Sequence, residues 1–96
     1  MQIRSHGSRE GTIKHIRSLK PEVLRHDGPA NPEVEKTHKR RNEGVAAQFK
    51  AATDFIISEI NLLEPEFNGV LVDANFDFHE GGRIFQVNII PQKLQI

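Results

Sequence analysis

Two hydrophobic rhythms divide the second half of this chain. Between Val45 and Leu63 the apolar positions Val45, Phe49, Ala52, Ile56, Ile60 and Leu63 recur at steps of three and four, the period of one helix face. Ala46, Thr53 and Ile57 flank this stripe on one side, and Phe55 and Leu62 flank it on the other. The arc is wide enough to lie across a sheet. Its start is marked by Asn31 as N-cap, Pro32 at the first helical position, and Glu33 and Glu35 in the first turn. Pro65 marks its limit. Gly44 is the weak point of the helix and costs about 1 kcal/mol relative to Ala.

After Asn68-Gly69 the period becomes two. Val70, Val72, Ala74, Phe76 and Phe78 alternate with Leu71, Asp73, Asn75, Asp77 and His79. Gly81-Gly82 then precedes a second run, Ile84 to Ile90. A two-residue turn at Gly81-Gly82 predicts a hairpin with Phe78 opposite Phe85, Phe76 opposite Val87 and Ala74 opposite Ile89. Glu80 would then face Arg83 beside the turn. All six apolar partners share one face, which should receive the helix.

The first thirty residues are weaker in signal. Residues 1–11 read as a loose tail with a short edge strand at Gln2 to Arg4. Thr12 is a candidate cap for a short helix carrying Ile13 and Ile16, and Pro21 to Arg25 a candidate further turn. Asp27-Gly28-Pro29 breaks the chain. Two strands and a helix are rarely enough, and the hairpin edges need cover. Ile3, Ile13-Ile16 and Lys93 to Ile96 are the candidate third strands. The expected fold is α+β in two layers, one long helix packed on a small antiparallel sheet built around a C-terminal β-hairpin. Residues 1–30 form a basic, weakly hydrophobic arm, and residues 31–96 the helix-plus-hairpin core of a single domain.

Charge sharpens this division. The 96 residues carry no net charge, yet residues 1–41 hold ten Lys/Arg against five Asp/Glu, and residues 42–96 hold three against eight. Four of the five His fall in the first part and all six Phe in the second. The second part has only 55 residues, near the size at which a domain is marginal without help. The absence of Cys rules out disulfides, thiolate metal sites and a Cys nucleophile. A partner chain is then the natural source of extra stability. No apolar run approaches the roughly 18 residues of a membrane span, so no membrane partner is expected and the default location is cytoplasmic.

Two clusters are candidates for chemistry. Lys36, His38, Lys39, Arg40 and Arg41 are a basic run suited to an anionic partner. At about 100° per residue these side chains spread around a helix, and no aromatic lies among them to stack on bases. Asp73, Asn75, Asp77 and His79 line the polar face of the hairpin. Oxygen and imidazole groups there are candidates for cation binding or acid–base work, although a solvated sheet face needs polar residues in any case. No nucleophile elbow or paired-acid motif is present, so catalysis is disfavoured, and no cofactor or metal is expected. The leading expectation is a small non-catalytic protein-interaction module that associates with itself or with another protein. The alternative is nucleic-acid binding through residues 36–41. The second alternative is a small-molecule binder or enzyme with a pocket beside the helix, using Asp73, Asp77 and His79.

Overall fold

The computed structural model describes residues 1–79 and 82–93, with residues 78, 79 and 82–84 described by backbone alone. The elements run β1 (Gln2–Ser8), α1 (Arg9–Ser18), α2 (Pro32–Asn61), β2 (Gly69–His79) and β3 (Gly82–Gln92). The strands form one antiparallel sheet in the order β1-β2-β3. Both helices lie on one face of it, giving the two-layer α+β architecture.

α2 begins as its cap chemistry dictates. Asn31 accepts a hydrogen bond from the Val34 amide at 3.3 Å, and Pro32 follows at the first helical position. Its buried residues are Phe49, Thr53, Ile56, Ile57 and Ile60. Thr53 is tolerated there because its hydroxyl donates to the Phe49 carbonyl at 2.9 Å. Beneath them lie Val70, Val72, Ala74 and Phe76, all at most 2 % exposed. The stripe and its Thr53-Ile57 flank thus point inward. The Phe55 and Leu62 flank does not, because it overhangs the sheet. The stretch from Pro32 to Gln48 has no buried residue, and α2 projects beyond the sheet as a spur. The molecule measures 59 × 24 × 16 Å with a radius of gyration of 16.7 Å, against roughly 12 to 13 Å for a compact chain of this length.

The N-terminal segment is not a loose tail. All of Gln2–Ser8 pairs with β2, from Gln2 opposite Asn75 to Ser8 opposite Gly69. This supplies the third strand. Ile3 and Ile16 are 2 % and 1 % exposed and join the same core as α2. Ser8, rather than Thr12, caps α1 by accepting from the Gly11 amide at 3.1 Å. Thr12 is buried within the helix. Ile13 and Ile16, weighed as a strand, lie in α1. Arg9 ties this unit to the α2–β2 connection. Its amide bonds the Asn68 carbonyl, and its guanidinium donates to the carbonyls of Glu64 at 2.6 Å and Phe67 at 2.8 Å. No helical turn forms at Pro21 to Arg25; residues 19–31 run as a strap without helix or strand, bent at Gly28-Pro29. Asn42 clamps that strap to α2, accepting from the Leu24 amide at 2.8 Å and donating to the Leu24 carbonyl at 3.0 Å.

The hairpin register differs from the expected one by two residues. Phe76 stands opposite Phe85, Ala74 opposite Val87 and Val72 opposite Ile89. Phe78 faces Arg83, not Phe85. A shift of two keeps every side chain on its own face, so alternation alone does not choose between these registers. The observed one stacks Phe76 on Phe85, with centroids 4.6 Å apart. It also carries the ladder down to Gly69 opposite Gln92. Glycine suits that last position, since a Cβ at Gly69 would meet the Gln92 carbonyl oxygen at 3.3 Å. Gly82, expected in the turn, belongs to β3 opposite His79. Glu80 and Gly81 lie outside the described residues, as do Leu94 to Ile96.

Candidate functional site

The basic run does not assemble into one surface. Lys36, Lys39, Arg40 and Arg41 are exposed on the projecting half of α2, while His38 is half-buried. His38 and Lys39 line a groove of about 410 Å³ between the strap and α2, together with Leu24, His26 and Asn42. The rings of His26 and His38 are 6.4 Å apart. His26 donates through Nε2 to the Pro29 carbonyl at 2.8 Å, and Nδ1 of His38 is buried without a partner among the described residues. Arg41 lines a separate cleft of about 220 Å³ with Met1, Val45, Phe76 and Asp77.

The polar sheet residues are also divided. Asp73 and Asn75 join Gln2, Gln86 and Asn88 around a shallow depression of about 240 Å³ on the open face of the sheet. Gln2 donates to Asp73 at 3.1 Å, and Arg4 lies 3.8 Å from the same oxygen. Asp77 sits at the other cleft, and the side chain of His79 is outside those described. Asp73 and Asp77 therefore do not act on one point. Among the described residues no group of three or more His, Asp or Glu side chains is placed to hold a metal ion. Among the described residues no helix is long and apolar enough to cross a membrane.

The feature that sequence reasoning left unlocated is the outer edge of β3. Among the described residues, no strand pairs with it. Its polar backbone groups can be assigned from the other side of the sheet. The Phe76 amide donates to the Met1 carbonyl at 2.8 Å, and the Met1 ammonium donates to the Phe76 carbonyl at 2.7 Å. The even-numbered residues of β2 therefore bond β1, and its odd-numbered residues bond β3. On β3 the pairing partners of the even-numbered β2 residues, Phe85, Val87 and Ile89 among them, consequently turn their backbone polar groups outward. Ile84 to Ile90 contains no charged residue, so this edge lacks the Lys or inward charge that ordinarily keeps strands apart.

Apolar side chains crowd the same edge. Phe85 is 36 % exposed, Ile90 49 %, Phe55 50 % and Leu62 75 %. The Phe55 ring meets Phe85 edge-on at 6.2 Å, so α2 overhangs the open strand. The sequence signal for Phe55 and Leu62 was their place on an over-wide apolar arc. The surrounding α2 surface is polar: Lys50 donates to Asp54 at 2.8 Å. That hydrogen bond, with the charge of Asp54, holds the Lys50 ammonium above its ordinary value. No protein-family model matches the chain. No curated protein and no solved structure matches it significantly.

Proposed function

We propose that this chain is a small non-catalytic protein-interaction module that associates with a second copy of itself by strand addition at β3. The observation that carries this reading is an eleven-residue edge strand, Gly82–Gln92, whose segment from Ile84 to Ile90 is uncharged and whose outer side pairs with no strand among the described residues. Strand addition satisfies the outward amides and carbonyls of Phe85, Val87 and Ile89, and side chains at alternate positions supply specificity. The exposed Phe55, Phe85 and Ile90 add apolar area beside them.

Light scattering over a dilution series tests the reading. A dimer that dissociates on dilution, with a thermal midpoint that falls in step, is expected. Gln86 and Asn88 are exposed and unneeded by the core. Replacing both with Lys should abolish the dimer while the circular dichroism spectrum is retained. A monomer at all concentrations would refute the proposal. So would tight binding of a short oligonucleotide at about 0.15 M salt that is lost on replacing Lys36, Lys39 and Arg40, if self-association is absent.

A further inference from the structure

We infer that the second copy docks about a two-fold axis passing beside Val87, and that the two α2 helices meet across it through Phe55 and Leu62. This rests on the reading of β3 as a self-pairing edge. The backbone limits the registers. Between Ile84 and Ile90 it is Phe85, Val87 and Ile89 that aim their N–H and C=O outward, so bonded pairs across the axis join odd-numbered residues to odd-numbered residues. With Val87 opposite its own copy, Phe85 meets Ile89, Gln86 meets Asn88, and position 84 meets position 90. Every apolar position then faces an apolar one, and every amide side chain faces an amide. Moving the copy by two residues sets Asn88 opposite position 84, or Gln86 opposite Ile90. The strand is self-complementary in one register, and with no charge between Ile84 and Ile90 two copies approach without repulsion.

The geometry of that register explains the exposed flank of α2. An antiparallel sheet continued across a two-fold axis keeps both helix layers on the same side. Strands are spaced by about 4.8 Å, so two helices, each seated over a β2–β3 pair, stand roughly 10 Å apart. That is helix-packing distance, about 8–10 Å. Phe55 meets this edge, and Gln48, Ala51, Ser58 and the C-cap Leu62 share its helix face by spacing of three, four, three and four residues, with no charge among them. This is the seam spacing of antiparallel helices. Phe55 touches Phe85 on its own sheet, which places the seam beside the axis. A protomer that leaves Leu62 75 % exposed covers it in the pair.

The chain has no Cys, so introduced thiols report on the register directly. Chains carrying Gln86→Cys are mixed with chains carrying Asn88→Cys and oxidised. The mixed disulfide should exceed either homodimeric one severalfold, because identical positions lie diagonal to one another and beyond the roughly 7 Å limit for a bridge. Leu62→Asp, at an exposed site, should weaken the dimer by roughly tenfold or more without altering the protomer. If a dimer forms and is broken by the paired Lys substitutions at Gln86 and Asn88, but the thiols do not cross-link as stated or Leu62→Asp has no effect, this geometry is wrong and the β3 reading stands. If no dimer forms, both fall.

Discussion

Phe76 is the side chain on which the sheet-to-helix contact turns, and Phe76→Ala tests the fold most directly. The ring is 2 % exposed. It lies between Phe49, 5.6 Å away between centroids, and Phe85, stacked at 4.6 Å. Truncating a buried Phe costs about 3–5 kcal/mol, through lost transfer energy and the cavity left behind. The two ring contacts place this site toward the upper end, since aromatic pairs contribute roughly 0.5–1.5 kcal/mol beyond area. A chain of 96 residues has a total stability of roughly 5–14 kcal/mol. The variant therefore loses between about a fifth and all of it. In a domain this small each kcal/mol moves the midpoint by about 4–8 °C, so the drop should be at least about 12 °C. The chain lacks Trp and Tyr, so urea unfolding is followed by far-ultraviolet circular dichroism. Wild type and variant are compared at one low protein concentration, which holds any association constant. Phe55→Ala is the control: half exposed, it should cost the protomer under about 1.5 kcal/mol. A loss below about 1 kcal/mol for Phe76→Ala, or equal losses for the two, would refute the core described above.

Three further outcomes are expected. Gly44→Ala should stabilise α2 by about 1 kcal/mol, since a Cβ there meets nothing within 4 Å; a lower urea midpoint would contradict it. Asn42→Ala removes both bonds to the strap at Leu24; amide exchange at Leu24 should accelerate while Val72 and Ala74 stay protected, at a cost of about 1–3 kcal/mol or less. The Lys50–Asp54 contact raises the Lys50 ammonium above 10.5. Its stabilisation is therefore complete below that value and is lost as pH rises through the higher folded one. Asp54→Asn should flatten this alkaline dependence in melting curves and remove the same small stabilisation at neutral pH.

The legible parts of this fold are those written in local periodicity. Phe49, Ile56 and Ile60 announce a buried helix face by their spacing. Val70 to Phe76 announce a half-buried strand by alternation. The register was not legible, because 3.6- and 2-residue periods place side chains on faces, and a slip of two leaves the faces unchanged. β1 was nearly silent because only Ile3 fills the core from it. Its other inward positions, Ser5 and Gly7, lie under α1 with no apolar signature. Phe55 and Leu62 were legible as apolar and illegible as exposed. An amphipathic arc records that a surface avoids water without recording which neighbour covers it. The candidate polar set dissolved for a similar reason. Asp73 and Asp77 share a strand face by parity, but a cleft is made by the elements around it, here Met1 and the strap at Asp77, and Gln2 with β3 at Asp73.

The pairing of Met1 with Phe76, 75 residues apart, has a kinetic meaning. β2 and β3 are consecutive in the chain and pair antiparallel, a unit that forms in roughly 1–10 μs. β1 has nothing to pair with until β2 exists, and reaching it means closing most of the chain, an entropic cost met before any contact repays it. On a ribosome β1 is thus made before β2 and β3 and placed after them. During that interval β2 is itself an edge, and the growing protein carries a bare Val70, Val72 and Ala74 ladder on one side and a β3 edge uncharged from Ile84 to Ile90 on the other. The order of assembly runs opposite to the order of synthesis, and Arg9, which locks β1 and α1 to the entrance of β2, is the latch that ends it.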